Sequence, residues 1–194
     1  MQTENVSTMY KEPGSYIPES LNPHHYTSLL DVLSVSCQKF SSKPAFTSVG
    51  CTLSYSDLAQ KSDQFAAYLQ QHTDLQPGDR IAVQLPNVVQ YPVVVFGAMK
   101  AGLVVVNTNP LYTDRELRHQ LKDSGAKAIV ILENFAHTLA DVIDDTDVDL
   151  VITTKIADQV GGLKGMLVNF VVQYVKKMVP PFSLPAAVPY KQVL

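Results

Sequence analysis

Residues 80–132, RIAVQLPNVVQYPVVVFGAMKAGLVVVNTNPLYTDRELRHQLKDSGAKAIVIL, decide the fold of this chain. Short apolar runs alternate here with segments of helical spacing, and the alternation continues to residue 154. The predicted elements are strand 80–85, a helix ending at 102, strand 103–107, helix 113–124, strand 127–132, a helix ending near 144 and strand 150–154. Strands that alternate with helices of this length form right-handed βαβ units. The sequence therefore predicts an α/β fold with a mainly parallel sheet and helices on both faces.

Two local signals support this division. The runs Leu103-Val-Val-Val106 and Ala128-Ile-Val-Ile-Leu132 are apolar on both faces, which is typical of buried parallel strands. The segment Thr113-Asp-Arg-Glu116 is a capping box at a helix start, and Gly125 is placed to end the same helix.

The segments around these units divide the chain into three parts. The predicted parts are an irregular arm over 1–26, an α/β subdomain over 27–160, and a tail over 161–194 that holds an amphipathic helix. The subdomain is predicted to begin with a helix capped by Thr27, a hairpin around Val49-Gly50-Cys51 and a second helix opened by Ser56. After Pro180-Pro181 we expect no further helix or strand.

Composition and charge narrow the function classes. The 194 residues carry a net charge of -3 and are 46% hydrophobic, so the chain can bury a core but lacks a basic field for nucleic acid. Cys37 and Cys51 fit neither a disulfide framework nor a paired-cysteine zinc site. The longest apolar stretch, residues 93–106, is shorter than the roughly 20 residues that a bilayer-spanning helix needs. Because the N-terminus lacks a secretory signal pattern, we expect a cytoplasmic protein.

Standard motifs for phosphate, metal or nucleophilic chemistry are missing from the sequence. None of the nine glycines belongs to a phosphate-binding pattern, so a parallel sheet alone does not indicate a nucleotide site. The pair His24-His25 has no further ligand at metal-binding spacing, and we predict no metal site. No serine elbow or activated cysteine is recognisable.

Polar residues follow two of the predicted strands. Residues 107–113 join a strand end to a helix N-terminus, where α/β sheets bind ligands and free N–H groups favour anions. A capped turn without a ligand is the alternative. Asn134 and His137 lie at the equivalent point of the next unit, so together with Asn109 they are predicted to form a polar rim along one edge of the sheet.

The tail helix is predicted over residues 163–179 and separates its side chains into two faces. One face holds Asn169, Gln173, Lys176 and Lys177, and the other holds Met166, Phe170, Tyr174 and Met178. Such a helix either lies on a membrane surface with its lysines near anionic headgroups or packs on its own protein. The sequence leaves both readings open.

The stretch 85–139 resembles the bacterial long-chain fatty acid–CoA ligases of the AMP-forming, adenylating superfamily. The resemblance rests on NPLYT-x-REL from Asn109, on Asp123-Ser-Gly-Ala126 and on Asn134-Phe-Ala-His-Thr138. It extends through essentially the whole chain, including residues 22–30 and 168–172. It implies that the chain supplies the first βα layer of the N-terminal domain of an adenylate-forming enzyme.

By the same resemblance, the whole enzyme uses ATP with magnesium to convert a long-chain fatty acid to an acyl-adenylate, releases pyrophosphate, and transfers the acyl group to CoA with release of AMP. The family's phosphate loop, its Tyr-Gly-x-Thr-Glu segment and its C-terminal lysine are expected beyond Leu194. No residue here is therefore predicted to be catalytic, and the chain alone is expected to be inactive and to bind no cofactor. In some relatives the loops matching residues 107–110 and the region near His137 approach the CoA nucleotide, which makes Asn109 and His137 the predicted cofactor-side residues.

The resemblance also implies a peripheral enzyme on the inner face of the cytoplasmic membrane, and the tail helix over residues 163–179 is the candidate contact. Two other functions stay open. One is a stand-alone nucleotide- or CoA-binding module that uses Asn109 and His137, and the other is a membrane-recruitment module that works through the tail helix. Because a partial domain exposes apolar surface that its missing partner would cover, we also expect a homodimer or a swapped tail.

Overall fold

The computed structural model describes residues 26–194, so the predicted arm over 1–26, apart from its last residue, and the pair His24-His25 lie outside the described residues. The helices are α1 (Leu29–Lys39), α2 (Tyr55–His72), α3 (Gln90–Lys100), α4 (Asp114–Ser124), α5 (Ala136–Ala140), α6 (Gly162–Phe170) and α7 (Tyr190–Val193). The strands are β1 (Pro44–Ser48), β2 (Cys51–Ser54), β3 (Arg80–Gln84), β4 (Val104–Asn107), β5 (Ala128–Leu132), β6 (Leu150–Thr154) and β7 (Val188–Pro189). A π-helical turn over Val171–Val175 extends α6, and residues 162–175 together form the tail helix.

Five strands form one parallel sheet in the spatial order β4-β3-β5-β6-β7. The first strand of this sheet along the chain is β3. The next strand, β4, lies on one side of β3, and β5, β6 and β7 follow on its other side. The crossover direction therefore reverses between β3 and β5. In open parallel sheets, the carboxyl ends of the strands at such a reversal are the usual ligand position.

Helices cover both faces of the sheet, as the alternation predicts. Alternate β5 residues point to opposite faces, so that Val130 joins one core and Ile131 the other. The first core packs β3 and β5 against α1, α2, α3 and α7, whereas the second packs them against α4 and α5. All five residues of β5 are buried, because this strand is central and covered on both faces.

The capping box and the hairpin are confirmed. The backbone N–H and the hydroxyl of Thr113 both donate to the carboxylate of Glu116, at 2.9 and 2.8 Å. Gly125 ends α4 in the left-handed conformation, with φ 59. Strands β1 and β2 are antiparallel, and Val49 and Gly50 turn the chain between them with positive φ values of 51 and 71.

Two predicted helix caps are wrong by one or two residues. Ser28, not Thr27, caps α1 by accepting the N–H of the third helical residue at 3.1 Å. Ser54, not Ser56, caps α2, and the N–H of Ser54 donates to the carboxylate of Asp57 at 2.9 Å. In both helices the hydroxyl that caps lies three residues before the N–H that it accepts, which is the geometry that closes the first turn.

The prediction that 103–106 is a buried strand is wrong, because β4 lies at the edge of the sheet. Val104 is 49% exposed, and β4 pairs with β3 alone. Sequence periodicity reports how apolar a strand is, but the order of strands decides whether both of its sides are covered.

The tail contributes to the sheet, contrary to the prediction that no element follows Pro180-Pro181. Val188 pairs with Ile152 of β6, which makes β7 the second edge strand. Tyr190 in α7 then places its ring 6.2 Å from that of Phe65 in the first core. Within residues 26–194, none of the helices combines the length and the hydropathy needed to cross a bilayer.

Candidate ligand site at the carboxyl edge of the sheet

Gln84 is the last residue of β3 and lies at the point where the crossover direction reverses. Its side chain is fully buried, and its amide donates to the main-chain carbonyl of Asn109 at 3.3 Å. Among residues 26–194, no group donates a hydrogen bond to its buried Oε1. A buried acceptor without a partner is costly and calls for an explanation. Gln84 was not predicted as a site residue, although a polar residue at the end of the otherwise apolar run Ile81-Ala-Val83 was the available signal.

Asn109 lies in the loop between β4 and α4, where the sequence analysis predicted a ligand-binding residue. Its side chain is exposed, and its Oδ1 accepts the N–H of Leu111 at 3.0 Å. Its carbonyl also accepts the N–H of Tyr112 at 3.2 Å. Asn109 therefore shapes a tight turn through its oxygen atoms, while the side chain as a whole remains accessible.

His137 lies in the first turn of α5, just after β5. The residue is half-buried, and its buried Nδ1 has no hydrogen-bond partner within the described part of the chain. Strands β4 and β5 flank β3, so Asn109 and His137 follow strands about 10 Å apart, two strand spacings. The structure places both residues at the carboxyl edge of the sheet, with Gln84 between their strands.

Asn134 plays a different part from the predicted rim. Its side-chain amide donates to the carbonyl of Met178 at 2.8 Å and so attaches the end of the tail segment to the loop after β5. Its function in this structure is to hold the tail rather than to present an amide to a ligand.

A second polar group occupies the ends of β5 and β6. Its charged members are Glu133, Lys155, Asp158 and Lys191. Asp158 accepts hydrogen bonds from the hydroxyl of Thr154 at 3.1 Å, from the N–H of Lys155 at 2.7 Å and from the amide of Asn169 at 3.4 Å, and Lys191 lies 3.2 Å away. The Asp158 carboxylate is therefore well compensated.

Glu133 and Lys155 make longer side-chain polar contacts than Asp158 does. Their charged atoms are 3.8 Å apart, and the other side-chain contact of Lys155 is to Gln173 at 3.5 Å. Burial raises the pKa of Glu133, the Lys155 charge lowers it by less, and Asp158 adds to the rise. These groups border a cavity of about 490 Å³ that lies between the strand ends and the tail helix.

The tail helix turns Gly165, Asn169 and Gln173 towards the protein, whereas most of its large apolar side chains are exposed. Asn169 accepts the N–H of Ala157 at 3.0 Å, and Gly165 packs so closely that a Cβ atom there would overlap the carbonyl of Val160. The exposed large apolar side chains are Leu163, Met166, Leu167, Phe170, Tyr174, Val175 and, just beyond, Met178. We call these seven side chains the apolar face. Amphipathic surface helices normally bury such a face.

The charged side chains in the C-terminal part of the chain are all positive. Residues 159–194 contain four lysines and no aspartate or glutamate, although the whole chain has a net charge of -3. Lys164, Lys176 and Lys177 are exposed on or beside the tail helix. The lysines beside the apolar face are therefore not balanced by acidic residues of the same segment.

Metal-ligand clusters and glycine-rich phosphate loops are not features of the described residues. Between residues 26 and 194, histidine, cysteine, aspartate and glutamate nowhere gather in groups of three that could hold a metal ion. The sequence also lacks a glycine-rich phosphate loop. The Oε1 of Gln84 and the Nδ1 of His137 are both buried, and each retains the capacity for a hydrogen bond that no group within residues 26–194 supplies.

Comparison with known proteins identifies the family. Residues 33–188 match the model of the AMP-binding enzymes. The chain belongs to the AMP-binding enzyme family. This AMP-binding chain is 50% identical over 178 residues to a long-chain-fatty-acid–CoA ligase of Escherichia coli O157:H7 and 48% identical over 174 residues to that of Haemophilus influenzae. These alignments cover 92% and 90% of the chain but 32% and 31% of the relatives, so the chain spans about a third of their length.

Solved structures of AMP-binding enzymes confirm the fold. A long-chain-fatty-acid–CoA ligase from Archaeoglobus fulgidus superposes with a TM-score of 0.59 at 19% identity, over 82% of this chain and 33% of the other. A benzoate CoA ligase from Burkholderia xenovorans LB400 gives 0.60 at 22% identity, over 71% of this chain and 27% of the other. The predicted α/β fold, with a mainly parallel sheet and helices on both faces, is therefore confirmed.

Proposed function

We propose that this chain is the N-terminal part of a long-chain fatty acid–CoA ligase. The whole protein activates a fatty acid with ATP and magnesium to an acyl-adenylate and then transfers the acyl group to CoA. The observation that carries the proposal is 50% identity across 92% of the chain to a ligase of that activity.

The test compares the 194-residue chain with a longer protein that continues through the segments expected beyond Leu194. With oleate, ATP, magnesium and CoA, the longer protein should form oleoyl-CoA, AMP and pyrophosphate in equal amounts. The chain alone should form none, because the phosphate loop and the C-terminal lysine lie outside it. A longer protein that consumes ATP without forming oleoyl-CoA would rule out the proposal.

A CoA-side role for Asn109 and His137 belongs to the same proposal. Both residues border the edge at which the unpartnered Gln84 Oε1 and His137 Nδ1 lie. The competing reading, a stand-alone CoA- or nucleotide-binding module, predicts saturable binding of CoA to the 194-residue chain by calorimetry. Absence of CoA binding to the chain, together with CoA-dependent turnover by the longer protein, favours the ligase.

Contact with an anionic membrane surface is a second candidate function, and the outward apolar face favours it. Apolar side chains flanked by lysines suit insertion at a lipid interface, with each lysine near the headgroups contributing about 1 kcal/mol. The proposed location is the inner face of the cytoplasmic membrane. Replacing Lys176 and Lys177 with Glu should abolish co-sedimentation with phosphatidylglycerol vesicles, whereas Lys122→Glu on α4 should leave it unchanged.

Self-association through the apolar face is the remaining proposal. Exposed apolar patches above a few hundred Å² tend to be covered by a partner surface. Sedimentation velocity over a hundredfold concentration range should show dimers that Leu167→Ser disrupts. A monomer at every concentration would exclude the homodimer while leaving membrane contact open.

A further inference from the structure

We propose that the cavity between the ends of β5 and β6 and the tail helix captures a long-chain fatty acid, with the carboxylate at Lys155 and the hydrocarbon along Met166, Phe170 and Tyr174. This inference rests on the proposed fatty-acid ligase function. The role proposed for this cavity is to bind the free acid before it is activated. Its volume of about 490 Å³ lies in the range of small-molecule pockets, roughly 300–1,000 Å³.

The polar end of the cavity offers an ammonium group with spare hydrogen-bonding capacity. Lys155 can donate three hydrogen bonds, but its side-chain contacts to Gln173 and Glu133 are 3.5 and 3.8 Å long. Hydrogen bonds between an ammonium and a carboxylate are normally shorter, about 2.7–2.9 Å. A ligand carboxylate therefore gains a closer contact with Lys155 than the protein itself provides.

The two carboxylates at this end do not repel such a ligand equally. Asp158 is compensated by three hydrogen bonds and by Lys191. Glu133 lacks comparable donors and is the group that competes with a ligand for Lys155. Burial raises the pKa of Glu133, so its charged form is less stable here than in water, which reduces that competition.

The apolar wall of the cavity continues directly onto the apolar face. Met166, Phe170 and Tyr174 line the cavity, and each is also more than half exposed on the outer side of the tail helix. The rings of Phe170 and Tyr174 lie 5.1 Å apart and form one continuous surface. A hydrocarbon chain anchored at Lys155 can thus leave the cavity along side chains that reach the outer surface, and its affinity should rise with chain length.

The test uses the 194-residue chain and cis-parinaric acid, a fluorescent 18-carbon fatty acid, below its aggregation concentration. We expect saturable binding that Lys155→Gln weakens at least tenfold. Glu133→Gln should tighten binding, because it removes the competing anion. Lys164 is an exposed lysine of the tail helix that does not line the cavity. Lys164→Gln should therefore leave the affinity for parinaric acid unchanged.

Competition with unlabelled ligands separates capture from adsorption to the apolar face. Oleic acid should displace the probe at least tenfold better than oleyl alcohol, and octanoate should displace it poorly. Equal displacement by acid and alcohol, or an unchanged affinity in Lys155→Gln, would overturn the proposal. Tyr174→Ser, at an exposed position that does not threaten folding, should weaken binding of long acids more than that of short ones.

Failure of this inference can be told from failure of the proposed function. If the longer protein forms oleoyl-CoA but Lys155→Gln binds parinaric acid normally, the ligase reading stands and the capture site is wrong. If the chain binds the acid through Lys155 but the longer protein makes no acyl-CoA, the capture site stands and the ligase reading is wrong.

Discussion

Gln84 and Asn109 are joined by a hydrogen bond of 3.3 Å that ties the end of β3 to the loop after the neighbouring strand β4. The bond runs from a side-chain amide in the core to a main-chain carbonyl at the surface. It fixes the loop that carries the NPLYT segment relative to the strand at which the crossover direction reverses. The same Gln84 side chain leaves its own acceptor, Oε1, buried without a partner in the described region.

Replacing Gln84 should destabilise the carboxyl edge of the sheet. In Gln84→Ala the Asn109 carbonyl loses one of its two hydrogen-bond donors and the core gains a cavity, so we expect the free energy of unfolding to fall by about 1–3 kcal/mol. Urea titration followed by circular dichroism measures the change. Gln70→Ala, at an exposed position on α2, is the matched control and should alter stability by less than about 0.5 kcal/mol.

Asn109 and His137 should affect the use of CoA more than the use of ATP. In the longer protein, Asn109→Ala and His137→Ala are expected to raise the KM for CoA several-fold while the KM for ATP changes little. Steady-state assays with each substrate varied in turn measure the split. His119→Ala, at an exposed histidine on α4, is the control, and equal effects on both KM values would refute a CoA-side role.

Gly165 should be required for the seating of the tail helix. A Cβ at this position would overlap the main-chain carbonyl of Val160, which cannot move as a flexible side chain could. We expect Gly165→Ala to cost about 1–3 kcal/mol and to expose the tail segment to protease. Gly161→Ala is the matched control, because nothing lies within 4 Å of its added methyl group and its φ is -65. Similar cleavage rates in the two variants would show that the packing at Gly165 is unimportant.

Asp57 gives a prediction with a defined pH dependence. Hydrogen bonds from the hydroxyl and the N–H of Ser54 lower the pKa of the Asp57 carboxyl in the folded state. A lowered folded pKa adds stability above the unfolded pKa of about 3.9, and that stability is lost as pH falls through the folded value. Asp57→Asn should therefore destabilise α2 by about 0.5–2 kcal/mol near pH 7 and by much less near pH 2.

Urea titrations at both pH values measure this difference. Asp74→Asn, at an exposed loop position after α2, is the control and should show a small effect at either pH. A cost for Asp57→Asn that is the same at both values would mean that the charge of Asp57 does not contribute.

Local features of this chain were predictable because they depend on neighbours in sequence. The Thr113–Glu116 box, Gly125 and the Val49-Gly50 turn each act over at most four residues. Thr27 and Ser56 were predicted as caps in place of Ser28 and Ser54. Several hydroxyl side chains lie near each helix start, and the sequence does not show which of them caps the helix. The motifs at residues 109–117 and 134–138 were enough to predict the family, because each is a short pattern that can be recognised from the sequence alone.

The site was predicted only in part. Asn109 and His137 do lie at one edge, because the carboxyl ends of parallel strands share an edge. Gln84 was missed, since nothing in the sequence shows that its strand lies between those of Asn109 and His137. The cavity at Lys155 was also missed, because it joins residues 133, 155 and 191, which only the folded chain brings together.

By itself, the sequence determined the α/β class, the parallel strands, the capping box at Thr113 and the family, all of which follow from periodicity and short motifs. The tertiary structure alone decided the strand order, and with it the edge position of β4 and the central position of Gln84. It also decided that the tail helix turns its apolar side chains outward, because Gly165 and Asn169 fit closely against residues 157–160. Helical periodicity separates two faces of a helix, but only contacts between distant segments determine which of them is covered.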